Sequence, residues 1–306
     1  MKYLNPKADL TFKKVFGQHP DLVISFLNAL LPLDGPGEEI THVEYLDPEL
    51  VPQNPLRKDS IVDVRCRDQR GRQFIVEMQM MWTSAYRQRV LFNASKAYVS
   101  QLPKGGDYEL LQPVYSLNLV NDTFAEGADY YHDFRIVEEA ETKAVIEGLR
   151  FVFVELPKFT PRRYSEKRMQ VLWLRYLTEI DESTVDVPKE LMEDPQISKA
   201  VGQLEESAFS EEQLLSYEKF WDIISTAKTT INSARREGLK QGREEGRQMG
   251  REEGEKAGLE KGKEMGLKEG QEAERLKNAR AMKQEGIASE VIAKITGLTA
   301  EQVRAL

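Results

Sequence analysis

The chain has 306 residues, of which 40% are hydrophobic and 31% are charged, and its formal net charge is −8. A chain of this length and hydrophobic content can bury a sizeable core, and its acidic balance excludes a generic polyanion-binding protein. Its one cysteine excludes a disulfide framework and a thiolate metal cluster, and its three scattered histidines give no basis for a zinc site.

The N-terminal segment, MKYLNPKADLTFKK, lacks the hydrophobic core of a signal peptide. Elsewhere no run of apolar residues approaches the length that a helix needs to span a bilayer. We therefore expect a cytoplasmic protein without a membrane-spanning segment.

Two helices are predicted near the N-terminus, over residues 7–17 and 20–31, and the second ends before Pro32 because proline cannot continue a helix. Further along the chain a strand, a helix and two strands are predicted at 41–47, 83–102, 112–121 and 149–156. This order predicts a mixed α/β arrangement, in which helices cover a sheet.

A β-hairpin is predicted over residues 60–80. Ser60–Arg67 and Gln73–Met80 each alternate apolar and polar residues, as half-buried strands do. Between them, Asp68-Gln69-Arg70-Gly71-Arg72 suits a three-residue loop in which Gly71 adopts the left-handed conformation. An ion pair between Asp68 and Arg72 would close this loop. The loop length then fixes the register of the two strands.

The register places two acidic residues opposite each other. It creates one wholly apolar face by pairing Cys66 with Phe74, Val64 with Val76, and Val62 with Met78. The same register pairs Asp63 with Glu77 on the other face. Directly opposed Cβ atoms lie about 4.5–5.5 Å apart, and like charges there are destabilising. Either a bound cation offsets this repulsion, or the acids lie on a solvated face where Arg65 neutralises one of them.

From residue 161 onward the strand signals stop and helices are predicted. Ser165–Ile180 carries an apolar stripe, and Ser210-Glu211-Glu212-Gln213 is a capping box that begins another helix through Trp221. We therefore predict a core over residues 1–160 and a helical subdomain over 161–236.

Glycine recurs at every fourth position within residues 237–275, a segment that we call the glycine ladder. Its nine glycines are Gly238, Gly242, Gly246, Gly250, Gly254, Gly258, Gly262, Gly266 and Gly270. Most residues between them favour helix, although each interior glycine costs about 0.8–1 kcal/mol relative to alanine. Glycine stripes let two backbones approach closely. The ladder is therefore either a charged helix or a flexible charged linker. A charged helix would serve for self-association, which would make the protein a homo-oligomer, or as a spacer.

The last segment, residues 276–306, contains two short predicted helices around a Thr-Gly-Leu-Thr turn. This spacing is typical of a helix-turn-helix. The second helix begins at Thr299 and carries Arg304 as its only basic residue, which gives little support for reading DNA in the major groove. The alternative is a small packing unit of three helices.

Motifs from the whole chain resemble those of one protein family. They are Lys7–Gly17, Phe26–Leu31, Asp63 with Glu77-Met78-Gln79, Tyr86 through Arg89 to Tyr98, Phe151–Pro157, the glycine ladder and the Thr-Gly-Leu ending. Together they resemble the Rpn family of recombination-promoting nucleases and transposase-like proteins, in the PD-(D/E)XK nuclease superfamily. The resemblance implies a restriction-endonuclease-like α/β core and metal-dependent cleavage of DNA.

The resemblance also implies roles for residues of the hairpin. Asp63 matches the first acid of the motif, Glu77 the second, and Gln79 the position where the superfamily usually has lysine. Asp63, Glu77 and the main-chain carbonyl of Met78 would hold Mg²⁺ or another divalent cation. The amide of Gln79 would orient the attacking water.

Glutamine cannot supply the positive charge of the lysine that it replaces. The candidates for this charge are Lys13 and Lys96, which lie on the first predicted helix and on the helix after the hairpin. Asp9 is either a further acid near the metal or a residue that favours a helix N-terminus. Arg87 and Arg89 are candidate DNA contacts.

The sequence therefore predicts a Mg²⁺-dependent DNA endonuclease, whose acidic site is compatible with the negative net charge. A second hypothesis is a nuclease-derived protein that binds DNA without cutting it and assembles through its C-terminal tail. The glutamine at position 79 favours this second hypothesis, whereas the paired acids oppose it. A purely structural scaffold would leave the paired acids unexplained.

Overall fold

The computed structural model describes residues 2–33, 35–50, 60–161 and 168–306. The chain divides into two compact units, residues 1–228 and 229–306. Within the described ranges, no helix combines the length and the apolar character that crossing a membrane requires.

The described part of the first unit contains eight strands in two sheets. They are β1 Val43–Tyr45, β2 Glu49–Leu50, β3 Ser60–Ile61, β4 Val64–Asp68, β5 Gln73–Gln79, β6 Val114–Val120, β7 Tyr131–Val137 and β8 Val145–Glu155. Six of them form a sheet in the order β1-β4-β5-β6-β8-β7, and β2 pairs with β3. The neighbours β5, β6 and β8 run parallel, whereas the other pairs are antiparallel. This is the mixed α/β fold that the sequence predicts.

Helices surround the large sheet and make up the described part of the second unit. They are α1 Asp9–Gln18, α2 Pro20–Leu30, α3 Tyr86–Val99, α4 Arg168–Glu179, α5 Lys189–Met192, α6 Pro195–Gly202, α7 Glu211–Gln284, α8 Ser289–Thr296 and α9 Ala300–Ala305. The start of the helix predicted at Ser165 lies outside the described residues. The capping box before α7 is confirmed, since the Gln213 N–H donates to Ser210 Oγ at 3.3 Å and the Ser210 N–H to Gln213 Oε1 at 2.9 Å.

One face of the large sheet packs against α1, α2 and α4. Val76 of β5 and Val152 of β8 join a buried cluster that contains Phe16, Phe26 and Trp173. The centroids of these three rings lie 4.3–5.5 Å apart. Because Trp173 lies on α4, the helices after residue 161 contribute to the same core as the sheet.

The opposite face of the sheet is covered by α3. Ala94 and Ala97 of this helix pack with Ile75 of β5 and Val114 of β6. Side chains three or four positions apart share a helix face. The residues one and two turns before Ala97 therefore also face the sheet, beside the C-terminal half of β5.

The predicted hairpin is confirmed as far as Val64. Cys66 pairs with Phe74 and Val64 with Val76, while Gly71 has a φ of 84°. The loop is closed as predicted, since Arg72 Nε donates to Asp68 Oδ2 at 2.7 Å.

Beyond Val64 the predicted register is wrong. The β4–β5 ladder ends at Val64, and Asp63 lies in a bend. The Val62 N–H donates to the Pro48 carbonyl at 3.1 Å, and Val62 packs on the α3 face while Met78 packs on the other. The cause is the β2–β3 pair, which draws the chain before Asp63 away from β5. The Asp63–Glu77 pair is therefore not part of a ladder.

The sequence pattern does not predict the strand β7. It lies at the edge of the sheet, and five of its seven residues, from Asp133 to Val137, are exposed. An edge strand with little burial has no strict apolar alternation, so the sequence pattern gives no strand signal there.

In the second unit the glycine ladder is helical, as part of α7. The segment after it forms a small core with Ala279, Ile292, Leu298 and Val303. Gly297 ends α8 in the left-handed conformation, with a φ of 73°. This arrangement is a packed unit formed by the end of α7 with α8 and α9.

Candidate active site

Asp63 is attached to β5 by its side chain rather than by a strand ladder. Its Oδ2 accepts a hydrogen bond from the Met78 N–H at 2.8 Å. Its Oδ1 lies 4.0 Å from Lys13 Nζ on α1, and about a quarter of the side chain is exposed. Asp63 therefore lies in a bend outside β4, but its carboxylate is still held against the end of β5.

Burial raises the pKa of Asp63 to about 6. The hydrogen bond from Met78 and the charge of Lys13 lower this pKa, while the nearby acids Glu77 and Asp9 raise it. The ionised form of Asp63 is therefore costly in the protein alone. A cation beside it would favour the ionised form.

Glu77 lies on β5 with its carboxylate directed at α3, and it is 5% exposed. Asn93 Nδ2 donates to its Oε1 at 3.0 Å, and Arg89 Nη2 donates to its Oε2 at 3.2 Å. A buried carboxylate needs such partners, because an unpaired charge in the interior costs several kcal/mol. Both partners are contributed by one face of α3, four residues apart.

Gln79 ends β5 one residue beyond Met78, on the same side of the strand as Glu77. Its Oε1 accepts a hydrogen bond from Arg89 Nη2 at 2.7 Å, and its Nε2 donates to the Met81 carbonyl at 2.6 Å. One nitrogen of Arg89 therefore bridges Glu77 and Gln79. The sequence predicts Arg89 as a DNA contact but gives no signal that it reaches both motif residues.

Asn118 and Tyr86 form a buried, hydrogen-bonded pair next to Glu77. Asn118 is fully buried and pairs with Glu77 in the β5–β6 register. Its Oδ1 accepts a hydrogen bond from the Tyr86 hydroxyl at 3.2 Å, and its Nδ2 donates to the Val152 carbonyl at 3.2 Å. Burial raises the pKa of Tyr86 well above its ordinary value, so the hydroxyl stays a donor. The sequence carries a signal for this residue, because Asn118 is a polar residue that interrupts an apolar strand.

Asp9 and Lys13 lie on the first turns of α1 beside Asp63. Lys13 Nζ is 2.6 Å from Asp9 Oδ1, one helical turn away. Both side chains are partly exposed, at 47% for Asp9 and 41% for Lys13. The structure thus brings this predicted acid and this predicted source of positive charge together next to Asp63.

Two other predicted residues make contacts outside the carboxylate pair. Lys96 donates to the Leu50 carbonyl and lies 5.3 Å from the ring of Phe92. In the described part of the chain no ion pair joins Lys96 to Asp63 or Glu77. The guanidinium of Arg87 lies 5.2 Å from the rings of both Trp82 and Phe124.

The oxygen atoms at this place fit the ligand requirements of a hard divalent cation. The N–H and C=O of one strand residue point to the same side. Because the Met78 N–H points to Asp63, the Met78 carbonyl faces the gap that β4 leaves. Two carboxylates and a carbonyl are oxygen ligands of the kind that Mg²⁺ takes together with water.

Two further observations describe the donor set. Among the described residues, no group of three or more His, Cys, Asp and Glu side chains is arranged to hold a metal. A cation here would therefore be held by the two carboxylates, the Met78 carbonyl and water molecules. The buried Asn93 Oδ1 has no hydrogen-bond partner within the described structure, which leaves an acceptor oxygen beside Glu77.

A comparison with models of protein families gives a match. A family model for PD-(D/E)XK nuclease family transposases matches residues 6–234, about three quarters of the chain. The match includes α1, the hairpin, α3 and every strand of the large sheet. No curated protein and no solved structure matches the chain. The chain therefore belongs to the PD-(D/E)XK nuclease family of transposases.

Proposed function

We propose that the protein is a DNA endonuclease that depends on a divalent cation, with Mg²⁺ as the expected ion. The observation that carries this proposal is the attachment of the Asp63 carboxylate to the Met78 N–H, in the middle of the family's Glu-x-Gln motif. This contact brings the first acid beside Glu77 although the strand ladder has ended. The membership of a nuclease family supports the same function.

Asp63, Glu77 and the Met78 carbonyl would hold the cation. When bound, a divalent cation lowers the pKa of coordinated water and neutralises charge that develops on the scissile phosphate. An amide has two donor hydrogens and two acceptor lone pairs. Gln79 uses one of each with Met81 and Arg89, so the others remain to orient the attacking water.

Basic residues beside the carboxylates and on α3 would bind the DNA backbone. Lys13 is exposed enough to reach a phosphate oxygen while it stays 4.0 Å from Asp63. Arg87 presents an exposed guanidinium on the first turn of α3. Phosphate contacts of this kind position DNA without reading its sequence.

DNA binding without cleavage is a second candidate function. The observation that favours it is the glutamine at position 79, which carries no charge, together with the ion pair that Arg89 already makes with Glu77. If this candidate is right, the protein binds DNA in EDTA with the same affinity as in Mg²⁺ and leaves plasmid DNA intact.

Nicking of supercoiled plasmid separates the two candidates. We expect nicking by the wild-type protein in Mg²⁺ and its loss in EDTA. Asp63→Asn and Glu77→Gln should each lower the rate by at least about 100-fold, since each removes a metal ligand. Glu139→Gln, which changes an exposed acid far along the chain in the β7–β8 turn, is the matched control. Equal nicking by wild type and both site variants would overturn the proposed function.

We also propose that the protein self-associates through the glycine ladder. In the structure a Cβ atom on any of its nine glycines would have no neighbour within 4 Å beyond the adjacent residues and the nearby backbone of its own helix. The glycines are therefore not required by packing within the described chain, although they weaken the helix. A close approach of a second copy would account for them.

A further inference from the structure

In the PD-(D/E)XK superfamily the motif usually has a lysine two residues after its second acid, and this chain has Gln79 there. The β5 strand therefore lacks the positive charge that the motif normally supplies. A guanidinium from α3 is hydrogen-bonded to the end of the Gln79 side chain. Arg89 Nη2 lies 2.7 Å from Gln79 Oε1 and 3.2 Å from Glu77 Oε2.

The position of Arg89 is fixed by α3 and by its neighbours on that helix. Its guanidinium lies 4.7 Å from the centroid of the Tyr86 ring, three residues earlier. Tyr86 is itself buried and hydrogen-bonded to Asn118. Asn93, four residues later, binds the other oxygen of Glu77. Tyr86, Arg89 and Asn93 thus lie on one face of α3, and together they hold the Arg89 guanidinium beside the second acid, Glu77.

Arg89 also connects the buried acid with solvent. The side chain of Glu77 is 6% exposed, whereas that of Arg89 is 48% exposed. Both hydrogen bonds to the motif residues come from Nη2, and a guanidinium has five N–H donors. Arg89 can therefore keep these bonds and also donate to a phosphate oxygen.

The two lysines predicted for this role have other partners. Lys13 is paired with Asp9 at 2.6 Å and lies on the Asp63 side of the site. Lys96 donates to the Leu50 carbonyl. In the described structure, Arg89 is the basic residue that bonds both Glu77 and Gln79.

We propose that Arg89 is the catalytic cation that replaces the motif lysine, and that its guanidinium binds a non-bridging oxygen of the scissile phosphate. This inference rests on the proposed nuclease function. In the hydrolysis a water oxygen forms a bond to phosphorus and one P–O ester bond breaks. A proton of the water ends on the leaving oxygen by way of solvent. Arg89 stays protonated and stabilises the negative charge of the transition state.

The test is to move the charge back to the motif position. Single-turnover nicking in Mg²⁺ is measured for the wild type, Arg89→Ala, Arg89→Lys and the double variant Arg89→Ala/Gln79→Lys. We expect Arg89→Ala to be slowed by about 10²–10³-fold, the usual effect of removing one transition-state donor. The double variant should recover to within about tenfold of the wild type, because the lysine restores the charge at the other end of the same contact.

Controls keep the outcome interpretable. Gln88→Ala changes the exposed neighbour on α3 and should nick like the wild type. Thermal melts establish that each variant is folded, and Arg89→Lys, which keeps a charge at the same position, should be less impaired than Arg89→Ala. DNA affinity in EDTA should change by only a few-fold in Arg89→Ala, so that the loss is in the rate.

The results separate this inference from the proposed function. Wild-type nicking by Arg89→Ala, or a folded double variant that stays as slow as Arg89→Ala, overturns the role of Arg89. The proposed function survives that result if Asp63→Asn is inactive. A wild-type protein that does not nick DNA overturns both.

Discussion

At the scale of residues, the candidate site is a group of charges whose protonation is linked to stability. The pKa of Asp63 is raised to about 6, mainly by burial, from an ordinary value near 4. A carboxyl with a raised pKa in the folded state favours folding while it is protonated, below about pH 4. That contribution is lost as the pH rises through about 6.

We therefore expect Asp63→Asn to stabilise the metal-free protein at pH 8. A shift of about two pKa units corresponds to up to about 3 kcal/mol in the free energy of unfolding. At pH 3 the two proteins should be nearly equally stable, because Asp63 is then largely protonated in both the folded and the unfolded state. Urea unfolding in EDTA, followed by tryptophan fluorescence, measures the difference. All three tryptophans, Trp82, Trp173 and Trp221, report on the first unit. The same difference at both pH values would contradict this account.

Part of the site can be predicted from sequence because it depends on short-range order. Asp63, Glu77 and Gln79 are found on or beside one hairpin, and a loop of known length fixes the register of its two strands as far as Val64. The partners of Glu77 cannot be found in this way. Arg89 and Asn93 reach it because α3 packs across the sheet, and the direction of that packing is a tertiary property.

At the scale of elements, the hairpin shows how far a local pattern extends. The register is correct from the loop to Val64, where turn chemistry and alternation act together. It is wrong at Val62, because β3 pairs with β2 and turns the chain away from β5. A two-residue strand pair has too little sequence pattern to be predicted. The acids are still adjacent, through a side-chain bond that no ladder count would give.

The glycine ladder gives a prediction in which self-association and helix stability change in opposite directions. We expect replacement of Gly246, Gly250, Gly254 and Gly258 by alanine to stabilise the isolated helix by about 0.8–1 kcal/mol per site. If the glycines form a contact between two copies, the same change should weaken self-association, because the added methyl groups keep the backbones apart.

Sedimentation equilibrium of the full-length wild type and the four-alanine variant measures this effect. A matched control replaces four solvated lysines of the ladder, Lys240, Lys256, Lys261 and Lys268, by glutamine and leaves the glycines intact. A wild type that sediments as a monomer would show that the ladder is a spacer. So would a four-alanine variant that associates as strongly as the wild type.

At the scale of the whole molecule, the net charge of −8 limits how DNA can bind. Residues 235–275, which include the ladder, carry eleven basic and eleven acidic side chains, so the net charge of −8 comes from the rest of the chain. Binding must then use a few local basic residues, of which Lys13 and Arg89 lie beside the carboxylates and Arg87 is exposed on the first turn of α3. Few phosphate contacts imply a shallow dependence of affinity on salt.

The replacement Arg87→Ala should change this salt dependence. Each lost phosphate contact lowers the slope of log affinity against log salt by about 0.9 on duplex DNA. We expect the slope of Arg87→Ala to fall by about this amount and its affinity to fall equally for DNA of different sequences. Fluorescence anisotropy in EDTA, over a series of salt concentrations, measures both quantities. An unchanged slope would remove Arg87 from the DNA-binding surface, and Gln88→Ala controls for a general change in α3.

The central claim is that Asp63 and Glu77 form a single divalent-cation site, and the most direct measurement is the binding of Mn²⁺, followed by electron paramagnetic resonance. We expect saturable Mn²⁺ binding that Mg²⁺ displaces. The affinity should be at least about tenfold weaker in Asp63→Asn and in Glu77→Gln, and unchanged in Glu139→Gln. Mn²⁺ binding of equal affinity in all four proteins would contradict this claim.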